Sequence, residues 1–110
     1  MSPLDIDRDA LVHLFLEESR EGLVAMEEAL VALEASADQV DSLKTLFRVA
    51  HTLKGNASSL GYAEIAETTH EIEDVLDRLR GGSLAISRQI VDLLLAAVDT
   101  LGEMLAEVQA

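Results

Sequence analysis

His51-Thr52-Leu53-Lys54-Gly55-Asn56-Ala57-Ser58-Ser59-Leu60-Gly61 reads as the second half of an amphipathic helix. Residues three and four apart share a helix face. Leu53, Ala57 and Leu60 therefore fall on one side, and His51, Lys54, Gly55 and Ser58 on another. Upstream, Leu43, Leu46, Phe47 and Ala50 extend the apolar stripe, while Lys44 and Arg48 extend the polar one. Gly61 is placed to end the segment in a left-handed cap, the conformation glycine adopts most readily. The helix is expected over about 40–60.

The same periodicity recurs on both sides. From about residue 5 to 35, Leu11, Phe15, Gly22, Met26, Leu30 and Leu33 step by three, four and seven, and Ser2-Pro3 with Asp5 resembles a helix start. Ala35-Ser36-Ala37-Asp38 breaks the pattern. From about 63 to 80, Ile65, Ile72, Val75, Leu76 and Leu79 point inward until Gly81-Gly82 stops the run. Ser87 then caps a segment reaching about 108, with Ile90, Val91, Leu94, Val98, Leu101 and Leu105 inward. The only proline is Pro3, and no strand-like alternation competes. Four amphipathic helices with short turns predict an all-α, antiparallel up-down four-helix bundle, one domain over 1–110.

Composition excludes several classes of function. With no cysteine there is no disulfide framework, thiolate metal site or thiol catalysis. No apolar run approaches the ~20 residues a membrane span requires, and no charged-then-apolar leader opens the chain, so the expected setting is cytoplasmic. Eight basic residues face 21 acidic ones, a net charge of −13. That disfavours nucleic acid and anionic membranes, both polyanions. No apolar stripe is left over for self-association, and the expected state is monomeric.

The acidity has one gap. No Asp or Glu lies between Asp41 and Glu64, and that window holds Lys44, Arg48 and Lys54 around His51. Such a local positive field suits a phosphoryl group and the acidic pocket that donates it. The bland alternative is a chance gap on a solvated helix face. A histidine that accepts a phosphoryl group needs one ring nitrogen free and the other holding its proton. A carboxylate bonded to the second nitrogen fixes that tautomer. Glu73 on the third segment is the candidate, on a face with Ala66, His70 and Asp77. Lys54 supplies charge, and Gly55 leaves room for a partner to close over the imidazole. His70 either supports His51 or sits on a helix flank, and His13 reads as structural. Glu67-x-x-His70 resembles a di-iron element, but such bundles use two plus further inward glutamates, so no metal is expected. No Gly-rich phosphate loop is visible, and no cofactor is expected in the chain itself.

These residues carry a likeness. Ala50 to Tyr62, AHTLKGNASSLGY, follows the His-x-x-Lys-Gly-x-x-x-x-x-Gly pattern of histidine-containing phosphotransfer (HPt) domains. With AETTHEIEDVLDRLR (Ala66–Arg80) and FLEESREGLVAMEEALVALE (Phe15–Glu34), the sequence resembles the N-terminal phosphotransfer domains of CheA-type chemotaxis histidine kinases. The resemblance implies a four-helix bundle phosphorylated on its second-helix histidine, here His51. It implies that Lys54 steadies the phosphoryl group, Gly55 keeps the imidazole accessible, and His70 and Glu73 orient the ring. It also implies two partners: an ATP-binding kinase catalytic domain, and a response-regulator receiver whose aspartate takes the phosphoryl group. ATP would enter only through the kinase domain. By this reading the chain is a phosphoryl carrier and a domain of a histidine protein kinase. Lys44, Arg48 and Ser58 complete the expected partner-facing surface. The chemotaxis type often carries a fifth helix, absent from this pattern. The alternatives are a stand-alone shuttle between two receivers and a helical docking bundle whose histidine is never modified.

Overall fold

The computed structural model describes residues 3–35 and 39–108, with side chains from Asp7 onward. The described residues form four helices: α1 (Pro3–Glu34), α2 (Gln39–Leu60), α3 (Ala63–Gly81) and α4 (Arg88–Ala106). α1 packs on α2 and α4, and α3 packs on the same two, so the helices run in order around an antiparallel four-helix bundle. At about 1.5 Å per residue the 32 residues of α1 account for most of the 51 Å long axis. The Ser2 helix start and the Ser36–Asp38 break lie outside the described residues.

Three helix ends are fixed by local chemistry. Gly61 has φ 87°, Tyr62 N–H donates to the Ala57 carbonyl at 2.9 Å, and Gly61 N–H donates to that of Ser58 at 3.1 Å. This paired bonding closes the orphan carbonyls of a helix C-terminus. Arg8 on α1 reaches the Leu60 carbonyl at 2.9 Å, tying the two helices at that end. Gly82, with φ 81°, closes α3 in the same manner through Ser83 N–H and the Arg78 carbonyl. Ser87 caps α4, its hydroxyl accepting from Ile90 N–H at 3.2 Å.

The core is aliphatic: Met26, Leu30, Leu33, Leu46, Leu76, Val91, Val98, Leu101 and Leu105 are almost wholly excluded from solvent. Phe15 stacks on Tyr62 near the Leu60 end, with centroids 5.5 Å apart. Thr69 is buried but satisfied, its hydroxyl donating to the Ile65 carbonyl at 2.6 Å. The structure corrects the expected inner face at several positions. Leu11 is exposed, and Val12 is buried in its place. Phe47, Leu60, Val75 and Ile90 are half-buried, packed against the core edge rather than inside it. Gly22 lies against α2: a Cβ there would meet Val49 Cγ1 at 2.9 Å. Among the described residues, no helix is long and apolar enough to cross a membrane.

Candidate phosphotransfer site

The α2–α3 seam brings His51 and Glu73 together. His51 stands in the middle of α2, its side chain 66% exposed. Glu73 follows Ile72 on α3 and turns into the seam, leaving its side chain 8% exposed. Its Oε2 lies 2.7 Å from His51 Nδ1, and its Oε1 lies 2.5 Å from Lys54 Nζ. Both partners come from one face of α2, because positions i and i+3 are neighbours on a helix.

Charge follows from this geometry. Burial pushes the Glu73 carboxyl up, but hydrogen bonds from Lys54 and His51, and the charges on both, outweigh it and hold the group below its ordinary range. Glu73 is therefore an ionised acceptor at neutral pH. An ionised carboxylate can only accept, so the hydrogen at the 2.7 Å contact belongs to His51 Nδ1. In the neutral ring this leaves a lone pair on Nε2, at the solvent side.

The remaining candidates divide. Gly55 is exposed, its backbone is ordinary helix, and a Cβ built on it would meet nothing within 4 Å. Lys54, Gly55 and Ser58 line a shallow groove whose far wall is Ala66, Glu67 and His70 on α3. His70 thus faces the groove, but its Nε2 is 3.7 Å from Asp74 Oδ1 on its own helix. The expected face of Ala66, His70, Glu73 and Asp77 is therefore split, with Glu73 turned inward while His70 and Asp77 are exposed. Arg48 leaves the His51 face as well: it lines a groove against α1 beside Glu18, Glu21 and Gly22. Lys44 is exposed. Among the described residues, no group of three or more His, Asp or Glu side chains is arranged to hold a metal ion.

Sequence reasoning placed Phe47 in the core and gave Arg80 no role. In the structure the Phe47 ring lies parallel to the His51 imidazole, with centroids 6.2 Å apart and 7° between planes. The Arg80 guanidinium covers Phe47, 4.1 Å from its centroid. The four-residue step from Phe47 to His51 was a visible signal. Nothing local announces Arg80.

Comparison with known proteins gives the family. The Hpt domain family profile matches residues 10–110. The chain belongs to the Hpt domain family. The chemotaxis protein CheA of Borreliella burgdorferi is 40% identical over 106 residues, covering 96% of this chain and 12% of its own length. CheA of Bacillus subtilis is 34% identical, covering 94% of this chain and 15% of its own. The chain thus spans a small part of these relatives. Among solved structures, the phosphorylated P1 domain of CheA3 in complex with CheY6 from R. sphaeroides superposes with TM-score 0.84 at 36% identity, covering 90% of this chain and 77% of that one. The CheA phosphotransferase domain from Thermotoga maritima gives 0.83 at 27% identity, with 97% of each chain covered.

Proposed function

We propose that this Hpt domain accepts a phosphoryl group on His51 Nε2 from an ATP-binding kinase domain and passes it to an aspartate of a response-regulator receiver. The observation that carries the reading is the double grip of Glu73, which holds the Nδ1 proton with one oxygen and Lys54 with the other. Similarity to the P1 domain solved with CheY6 supports the receiver as partner. Similarity to CheA proteins supports a kinase domain as donor, a chemotaxis setting and a cytoplasmic location. ATP is bound by that separate domain, and this chain requires no cofactor of its own.

The step needs little from the protein beyond position and charge. The Nε2 lone pair attacks the terminal phosphorus of ATP. An N–P bond forms, the bridging P–O bond breaks and ADP leaves. Nε2 carries no hydrogen, so no base is required. The phosphorylated ring is cationic while Nδ1 keeps its proton, and the Glu73 carboxylate balances that charge. Lys54, three residues along α2, is placed to offset the phosphoryl oxyanions. In the second transfer the N–P bond breaks as a P–O bond forms to the receiver's aspartate, and the ring returns to its neutral form. Gly55 leaves the approach to Nε2 open, and Ser58, His70, Lys44 and Arg48 lie on surfaces available to a partner.

The test is phosphoryl transfer from ATP in the presence of a chemotaxis-kinase catalytic domain. An acid-labile mass gain of one phosphoryl group, absent from a folded His51→Gln variant, is expected. A folded wild type that never gains it moves the reading to an unmodified docking bundle. A gain that persists in His51→Gln places the acceptor elsewhere.

A further inference from the structure

One contact beside the imidazole is unused by this chemistry. Glu73 fixes the His51 ring at a single atom, Nδ1, and the side chain is otherwise mostly in solvent. A ring held at one point can still swing about that point. Phe47, one turn earlier on α2, presents a parallel flat surface within the ~4.5–7 Å range of interacting aromatic pairs. Phe47 is itself held on two sides. The core packs against it, and Arg80 in the last turn of α3 covers it at 4.1 Å, well inside the ~6 Å reach of a cation–π contact. Arg80 Nη2 in turn donates to Asp77 Oδ1 at 2.9 Å. Both members of that ion pair are more than half exposed, so its contribution to stability is small. Its effect is geometric: it sets the guanidinium over the ring.

We propose that Phe47 and Arg80 are positioning residues for His51. Arg80, oriented by Asp77, clamps the Phe47 ring, and Phe47 restrains the imidazole so that Nδ1 stays on Glu73 and Nε2 stays directed outward. The inference rests on His51 being the phosphoryl acceptor. It differs from a direct electrostatic role for Arg80, whose guanidinium meets the phenyl ring rather than the imidazole.

The experiment is a double-mutant cycle on the full chain with Arg80→Gln, Phe47→Leu and the pair, reading the rate of His51 labelling. Each single change is expected to slow labelling about two- to fivefold, the range of an exposed cation–π contact. The double variant should be no slower than Phe47→Leu alone, and Arg80→Lys should recover part of the loss. An equal effect of Arg80→Gln in both backgrounds would show Arg80 acting directly and overturn the clamp, as would no effect in either. A second readout needs no kinase: the ring-current displacement of the His51 carbon-bound protons in the unphosphorylated protein. It should vanish in Phe47→Leu and shrink in Arg80→Gln, and unchanged shifts in Arg80→Gln overturn the proposal. If wild type is never labelled, the acceptor reading fails on its own, and the proton shifts still decide the clamp.

Discussion

Lys54 Nζ and His51 Nδ1 share one carboxylate: Glu73 takes the first on Oε1 at 2.5 Å and the second on Oε2 at 2.7 Å. The resting site therefore has its cation engaged. A phosphoryl group on Nε2 would compete with Glu73 for Lys54, so phosphorylation and the loosening of one carboxylate bond are linked.

Replacing Glu73 by Ala removes the tautomer lock and leaves the acceptor nitrogen in place. Labelling of His51 is expected to slow by about ten- to a hundredfold, the range for losing a partner that fixes a reactive histidine's tautomer and orientation. Glu73→Gln should retain the packing yet fail to hold the Nδ1 proton with charge. Equal labelling rates for Glu73→Ala and wild type would remove Glu73 from the site.

Acid should weaken the fold through the same residue. The Glu73 carboxyl is held below its ordinary value near 4.5, so as pH falls the unfolded chain takes up this proton first. The stabilisation is fully present above that value and is lost as pH drops through the lower, folded-state value. Urea midpoints from neutral pH to about pH 3 should fall less steeply for Glu73→Gln than for wild type. Parallel curves would show that Glu73 carries no linked stability.

Gly55 and Gly22 should respond to alanine with opposite signs. Neither backbone nor neighbours require glycine at Gly55, so Gly55→Ala is expected to raise stability by about 0.5–1 kcal/mol. A bulky change such as Gly55→Leu should keep the fold and slow transfer by obstructing the approach to Nε2. If Gly55→Leu transfers at the wild-type rate, the groove beside it is not where a partner closes.

At Gly22 the added Cβ would meet Val49 Cγ1 at 2.9 Å, and Val49 is β-branched, with one strongly preferred rotamer in a helix. Overpacking of about 1–3 kcal/mol then outweighs the ~1 kcal/mol gain in helix propensity. Chemical denaturation of Gly22→Ala should show a net loss. A net gain would mean that α1 and α2 can part at this point without cost.

The bundle was legible because its punctuation is chemical. Gly61, Gly82 and Ser87 act where their residue types predict, and the stripes of α2 to α4 name most of the buried side chains. α1 was less legible because it is apolar on more than one side. Leu11, Leu14, Val24 and Val31 are all exposed, so a three- and four-residue rhythm could be drawn through Leu11 as readily as through Val12. His51, Lys54 and Glu73 could be read because helix spacing and the need for a tautomer lock constrain them jointly. The turning of Arg48 towards α1, the pairing of His70 with Asp74 and the Arg80–Phe47 contact depend on how two helices slide past one another. A single helix's period carries no information on that register.

The imidazole and every group that acts on it come from α2 and α3, while α1 and α4 pack around them. The reactive seam and the two casing helices are therefore separable parts of one small fold. Substitutions across the exposed faces of α1 and α4 can accumulate without disturbing the Glu73–His51–Lys54 linkage. Such a domain can keep one reactive hairpin, and the groove on which a partner closes, while the casing around it varies.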